Sequence, residues 1–167
     1  IFRKVLAALS GLFLTLFLLG HLAGNLQLFL SGVEGQTQFN KYALFMTTNP
    51  VVKLLSILTY SSIILHIVLT LYLTFKSRQA RPVSYAVSSG SSNSSWSSNN
   101  MAILGTLLLL FIIVHMRSFW YEMHFGEMPY QHLEDGTKIK DLHLITTSAF
   151  NNPVYTLFYI LSMIALA

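Results

Sequence analysis

The chain has 167 residues, of which 53% are hydrophobic and only 10% charged, against about 25% charged residues in a typical soluble domain. The apolar residues come in long blocks, which excludes a disordered chain, a disulfide scaffold and an ordinary soluble domain, and leaves a polytopic helical membrane protein. The net charge of +4 is then a matter of membrane topology and does not indicate nucleic-acid binding.

Apolar runs predict three complete membrane spans and the start of a fourth. A hydrocarbon layer about 30 Å thick needs roughly 20 helical residues, and such runs cover residues 5–30, 51–75 and 101–120. The fourth begins at Asn151-Asn152-Pro153, where the proline suits a first helical turn, and extends over residues 151–167. Polar connections separate the spans, among them a serine-rich stretch within residues 76–100 that is typical of a flexible connector.

We therefore expect an all-α transmembrane helical bundle that forms one domain over residues 1–167. The chain starts at Ile1 and stops inside an apolar run, so we also expect it to be a piece of a longer protein. Two groups of basic residues lie near the membrane ends, and neither segment contains an acid. Arg3 and Lys4 lie beside the N-terminus, and Lys76, Arg78 and Arg81 lie within a six-residue stretch at the start of the second connection. That bias predicts a multi-pass protein with its N-terminus inside.

Each complete span carries one histidine and no other ionisable residue in its middle: His21, His66 and His115. At 1.5 Å per helical residue, His21 and His115 lie roughly 25 Å and 22 Å from the inner side, whereas His66 lies roughly 15 Å from it. Two histidines therefore share a depth in the outer half, and the third lies deeper toward the inside. An ionisable group within a membrane is a functional hypothesis by default.

Two histidines at one depth on neighbouring helices can bind one haem iron from both faces. The chain has no cysteine, so it cannot attach haem covalently or hold an iron–sulfur cluster through thiolates, and such a haem would be b-type. A proton relay would normally use Asp or Glu, which no span contains, and zinc would need more ligands at one level. A purely structural role also stays open, since polar residues on membrane helices often only bond across helices.

Local sequence adds weaker expectations. Gly20 and Gly24 flank His21 and, because they have no side chains, would leave space beside it for a flat macrocycle. On the second span, Thr59, Ser62, His66, Thr70 and Thr74 share one helix face, as a polar strip that orients the histidine or as hydroxyls bonded to their own helix. His124, His132 and His143 lie in polar sequence, and we interpret them as solvated surface residues.

The chain resembles the membrane-anchor cytochrome b subunit of succinate dehydrogenases and fumarate reductases, of the single-polypeptide, di-haem type. The resemblance is an ordered set of short motifs over nearly the whole chain: Ala8-Leu9-Ser10-Gly11-Leu12-Phe13-Leu14, His21-Leu22-Ala23-Gly24-Asn25-Leu26-Gln27, Phe39-Asn40-Lys41-Tyr42-Ala43, Asn49-Pro50, Leu65-His66, Ala80-Arg81-Pro82-Val83-Ser84-Tyr85-Ala86-Val87, Ser95-Trp96 and His115-Met116-Arg117-Ser118-Phe119-Trp120.

This resemblance implies a five-helix bundle with two haems b. By position, His21 and His115 are the axial pair of the outer haem, and His66 is an axial ligand of the inner haem, whose second ligand lies beyond Ala167. Arg78 and Arg81 become candidate contacts of propionates or of partner subunits. No residue of this chain is expected to be catalytic.

The resemblance further implies partners on the inner face of a bacterial cytoplasmic membrane. They are a flavoprotein subunit with FAD and an iron–sulfur subunit with its clusters, and the dicarboxylate chemistry is theirs. The chain would be the non-flavin electron-transfer subunit of this enzyme, bound to membrane lipid and to a quinone, expected to be menaquinone, in a complex that could form a homo-oligomer.

Family members can carry a carboxylate near the outer start of the second span, but here Asn49-Pro50-Val51-Val52-Lys53 holds no acid. The quinone site and proton coupling therefore do not follow from the resemblance. Two alternatives stay open. One is the integral cytochrome b of another quinone-linked dehydrogenase, and the other is a transport or assembly protein whose histidines are structural.

Overall fold

The computed structural model describes residues 1–80 and 94–166, and 83% of these residues are helical. Arg81 and the serines of residues 84–92 lie outside the described residues. The longer helices are α1 (Phe2–Asn25), which continues as a 3₁₀ turn (Leu26–Phe29), α2 (Gly32–Thr48), α3 (Pro50–Gln79) and α5 (Met101–His115). The shorter elements are α4 (Trp96–Asn99), a π-helical segment (Met116–Tyr121), α6 (Glu122–Phe125), β1 (Tyr130–His132), β2 (Lys138–Lys140), α7 (Leu142–Phe150) and α8 (Pro153–Leu166).

Within residues 1–80 and 94–166, three helices are long and apolar enough to cross a membrane: Phe2–Phe29, Pro50–Gln79 and Met101–Phe125. At most 11% of the most apolar stretch of each is buried inside the molecule. A helix satisfies its backbone hydrogen bonds internally, and one that is apolar on all sides suits a lipid surrounding. The prediction of a mostly helical chain with three helices long and apolar enough to span a membrane is confirmed.

The predicted fourth span, residues 151–167, corresponds to α8, which forms a bent pair with α7. α7 and α8 meet at 92°, and together they are apolar enough for one broken span or a re-entrant loop. α8 begins at Pro153, and the side chain of Asn152 accepts hydrogen bonds from the N–H groups of Val154 and Tyr155. The proline therefore occupies the first helical turn as the sequence predicts, because a missing N–H costs nothing there.

The helices pack as two pairs. α1 lies antiparallel to α3, and α5 packs mainly on α8, whereas α1 and α5 make only sparse contact. Small and polar side chains occupy the α1–α3 interface, where Ala7, Ser10 and Thr59 are buried. In lipid the hydrophobic effect does not drive helices together, so their association depends on close packing. Small residues allow that close approach.

Residues 31–50, predicted as a polar connection, form the helix α2 instead. α2 packs against the hairpin of β1 and β2 and against α7, and we call this group the polar cap. Asn40 is its centre, with only 1% of its surface exposed. Its side-chain N–H₂ donates to Gln131 at 2.9 Å and to Asp141 at 2.8 Å, and its oxygen accepts the N–H of His143 at 2.9 Å. Every polar atom of this buried amide therefore has a partner, as burial requires.

The hairpin is antiparallel, with Gln131 opposite Ile139 and a turn that contains Gly136 at φ 81°. Asp135 in this turn accepts hydrogen bonds from the Thr137 hydroxyl at 2.7 Å and from its N–H at 2.9 Å. These bonds favour the charged carboxylate and lower the pKa of Asp135 below its ordinary value. The turn thus fixes the register in which Gln131 meets Asn40.

Candidate functional site

The three intramembrane histidines lie at two levels of the bundle. The rings of His21 on α1 and His115 on α5 have their centroids 5.6 Å apart, with ring planes at 84°. His66 on α3 instead lies beside Ser10 and Gly11 of α1. Because Gly11 precedes His21 by ten residues, the two levels are separated by roughly 15 Å along α1.

The His21 and His115 rings are about as close as two imidazoles that share one metal ion. An imidazole nitrogen binds a metal at about 2 Å, so one ion held by two imidazoles separates their ring centres by roughly 6 Å. The perpendicular planes are compatible with this, because each ring can rotate about its bond to the metal. The pair bridges the two helical pairs where α1 and α5 pack sparsely, so a flat group could enter between them.

Aromatic rings lie against both imidazoles. Phe17 stacks on His21 at 5.5 Å, and Phe111 stacks on His115 at 5.6 Å. Phe119 lies 5.4 Å from His115 at a steep angle. Each histidine therefore has an apolar ring neighbour on its own helix, but His115 is half-buried and His21 is exposed.

One nitrogen of His115 already has a partner. Its Nδ1 lies 3.3 Å from the hydroxyl of Tyr159, which in turn accepts a hydrogen bond from the Tyr155 hydroxyl at 2.7 Å. This leaves Nε2 of His115 for a metal. Metal-bound histidines typically use their second nitrogen in this way, which fixes the tautomer and the ring orientation.

His66 shows the same division of its two nitrogens. Its Nδ1 lies 3.1 Å from the carbonyl oxygen of Ala7 and 3.1 Å from the hydroxyl of Ser10. A Cβ at Gly11 would lie 3.0 Å from Cε1 of the His66 ring, so the ring packs tightly against the backbone of α1 at this glycine. Within the described residues, no second histidine faces His66.

Two local expectations are decided in part. The hydroxyls of Thr59 and Thr70 donate to the carbonyls of Leu55 and His66 on their own helix, at 2.9 Å and 2.7 Å, so for these two residues the alternative of hydroxyls bonded to their own helix is confirmed. Gly24 makes room for the hydroxyl of Tyr42, which occupies the place of its missing side chain. By contrast, a Cβ at Gly20 would meet nothing within 4 Å.

Arg78, one of the two arginines predicted as propionate contacts, lies apart from the histidine pair. Arg78 is exposed near the end of α3 and lines an open groove with Ser98 and Asn99. It follows His66 by twelve residues, or roughly 18 Å of helix. Its role and that of Arg81, which lies outside the described residues, remain predictions.

The loop histidines differ among themselves. His132 is exposed, and so is His124, whose Nδ1 lies 2.8 Å from the carbonyl oxygen of Trp120. His143 is half-buried in the polar cap against the ring of Phe39, so it is not a solvated residue as predicted. None of the three faces the intramembrane histidines.

Sequence reasoning missed the partners of the histidines. Ser10 and Gly11 stand within the apolar run of the first span, and Tyr155 and Tyr159 within the fourth, as its two tyrosines four residues apart. A hydroxyl that must find a partner in an apolar helix was the available signal. Comparison of the whole chain with protein-family models, with curated proteins and with solved structures finds no match.

Proposed function

We propose that this chain is the membrane-anchor cytochrome b subunit of a succinate:quinone oxidoreductase of the five-helix, di-haem type. The observation that carries the proposal is the pair of His21 and His115, which face each other at 5.6 Å across the two helical pairs. His66, with one nitrogen engaged and the other without a hydrogen-bond partner among the described residues, supports a second site at another level. Composition and the resemblance of the motifs supply the family.

In this proposal the residues of the chain hold and orient two haems b. His21 and His115 would hold the first haem iron, and His66 would supply one ligand of the second. Phe17 and Phe111, which stack on His21 and His115, would give each of these imidazoles an apolar neighbour. When bound, haem b supplies reversible one-electron transfer, whose potential depends on the axial ligands and on burial.

The chemistry of substrate and clusters then belongs to partner subunits. A chain with no cysteine cannot ligate iron–sulfur clusters through thiolates, so an iron–sulfur subunit and a flavoprotein subunit with FAD would supply electrons at one face. The exposed basic residues at the ends of α1 and α3, Arg3, Lys4, Lys76 and Arg78, offer a surface for this contact. Electrons would leave to a membrane quinone, which we propose is menaquinone.

The strongest rival is a transport or assembly protein with structural histidines. The bonds from His66 to Ala7 and Ser10 favour it, because they link α1 to α3 without any cofactor. They do not account for the His21–His115 pair, since the side chain of His21 makes no hydrogen bond within the described residues. A cytochrome b of another quinone-linked dehydrogenase shares the haem chemistry and differs in its partners.

The test is a set of histidine variants read by the reduced-minus-oxidised haem spectrum of purified protein. We expect His21→Ala and His115→Ala to lose the same b-type haem, and His66→Ala to lose the other. His132→Ala, at an exposed loop histidine, is the matched control and should keep both. Absence of any b-type signal in the parent protein, or loss of one and the same haem in His21→Ala and His66→Ala, would contradict the proposal.

A second measurement separates the two cytochrome readings. Gentle purification of the chain from its native membrane should bring along one flavin-bearing and one iron–sulfur subunit, with succinate-dependent reduction of the haems. Haem reduction that depends on a different donor, with no flavoprotein of dicarboxylate specificity, would favour another quinone-linked dehydrogenase.

A further inference from the structure

We infer that Tyr159 is a positioning residue for His115, and that its hydroxyl sets the reduction potential of the haem bound by His21 and His115. This inference rests on the proposed function and goes beyond it, because it assigns a role to a residue that binds no metal itself. The juxtaposition that carries it is a buried phenol hydroxyl 3.3 Å from Nδ1 of His115.

Tyr159 is one of the most buried side chains of the molecule, with 4% of its surface exposed. Its ring is held by close aromatic neighbours, with Phe111, Phe150 and Tyr155 at centroid distances of 5.0, 5.0 and 4.6 Å. Such packing leaves the hydroxyl little freedom to seek other partners. The oxygen is therefore fixed at the Nδ1 side of His115.

The chemistry of an axial histidine gives this contact its effect. When Nε2 binds iron, the remaining proton is on Nδ1, which must then donate a hydrogen bond. The oxygen of Tyr159 is its only hydrogen-bond partner among the described residues. An acceptor at this position makes the imidazole a stronger electron donor to the iron, which favours the oxidised state and lowers the reduction potential.

The other two histidines have different partners, which makes the effect specific. Nδ1 of His66 meets the carbonyl oxygen of Ala7 and the hydroxyl of Ser10 on α1. The side chain of His21 makes no hydrogen bond within the described part of the chain. A change at Tyr159 should therefore act on one haem and leave the other as an internal reference.

A purely structural role for Tyr159 is the competing explanation. Its ring joins α5 to α8 and to α7, so a substitution could weaken packing without any bearing on the iron. Tyr159→Phe separates the two readings, because it keeps the ring and removes only the hydroxyl. Packing loss would act on stability, whereas loss of the acceptor would act on potential.

The experiment is a redox titration of the intact complex, followed at the haem absorption bands. In Tyr159→Phe we expect a more positive reduction potential for the haem that His115→Ala eliminates, with the second haem unchanged. Tyr60→Phe is the matched control, since the hydroxyl of Tyr60 accepts a hydrogen bond from Trp120 at 2.7 Å and contacts no histidine. It should shift neither potential.

The other outcomes either contradict the inference or require a second variant, Tyr155→Phe. An unchanged potential in Tyr159→Phe, or an equal shift of both haems, overturns the inference but leaves the proposed function intact. A parent protein without b-type haem overturns both. If Tyr159→Phe loses the haem, Tyr155→Phe decides, because it removes the hydrogen bond to the Tyr159 oxygen and leaves the contact with His115. A shift of that one haem supports the inference, and no shift overturns it.

Discussion

At the scale of single residues, Gly11 controls the place of His66. The Cβ of any side chain at Gly11 would already lie 3.0 Å from Cε1 of the His66 ring. In Gly11→Val the ring must move away from α1 and lose its bond to the Ala7 carbonyl, which costs about 1 kcal/mol or roughly fivefold in a binding constant. We expect a weaker retention of the haem that His66→Ala eliminates, with the other unchanged, as measured by pyridine-haemochrome content and difference spectra.

Gly105→Val is the control for this prediction. Gly105 also lies within a membrane-spanning helix, but a Cβ there would meet nothing within 4 Å. The substitution adds the same side chain without touching a histidine, so both haems should remain. Equal haem content in the two variants would show that Gly11 has no special role.

The histidines in the apolar spans could be identified from the sequence, but the residues that contact them could not. His21, His66 and His115 stood out because a lone ionisable group in an apolar span is costly. Gly11 and Ser10 carry no such mark, because small residues are frequent in membrane helices for packing reasons alone. Only the register between α1 and α3 assigns them to His66, and that register depends on contacts between distant parts of the chain.

At the scale of elements, the π-helical segment Met116–Tyr121 follows His115 directly. A π turn uses hydrogen bonds five residues apart and accommodates one extra residue in a helix, often at functional sites. Just before the segment, His115 contacts His21; within the segment, the indole N–H of Trp120 donates to the hydroxyl of Tyr60 on α3 at 2.7 Å. The extra residue therefore lets one helix direct both side chains inward.

This predicts an unusual tolerance to deletion. Removing Ser118 should convert the π turn to an α turn and leave both flanks in place, so the His21–His115 haem should be retained. Removing Ile113, an exposed residue of α5, rotates His115 by about 100° relative to Phe111 and should eliminate that haem. Difference spectra of the two deletion variants check this, and equal loss in both would argue against the register role of the π segment.

Long apolar elements could be predicted and polar ones could not. The first three spans followed from runs of about 20 apolar residues, whose bounds differ from the observed helices by a few residues. α2 was missed because two glycines and mixed polarity over residues 31–50 are typical of a connection. Its helix is stabilised by the polar cap, in which Asn40 bonds to residues about 90 to 100 positions away, beyond any local signal.

At the scale of the whole molecule, the two levels of histidines follow from helix direction and length. Because α1 and α3 pack antiparallel, His66 lies against Ser10 and Gly11 in the N-terminal half of α1. His21 lies in the C-terminal half of α1, at the other level. Counting residues from the membrane edges also predicts two levels, because helical rise is constant, but its separation of roughly 10 Å is smaller than the roughly 15 Å along α1. Which helices become neighbours was less accessible, since lipid-facing and partner-facing apolar surfaces are alike in composition.

The orientation of this bundle predicts which connections face which side. The basic residues at the ends of α1 and α3 favour an inner location for the N-terminus and for α4, and hence an outer location for the polar cap. Because the chain has no cysteine, single-cysteine variants report this directly. Gln38→Cys, at an exposed position of α2, should react with a membrane-impermeant maleimide in intact cells or spheroplasts. Ser97→Cys, exposed on α4, should react only after the membrane is opened, and the cysteine-free parent should not react at all. The reverse pattern would place the basic ends outside and would contradict their proposed role as a docking surface for partner subunits on the inner face.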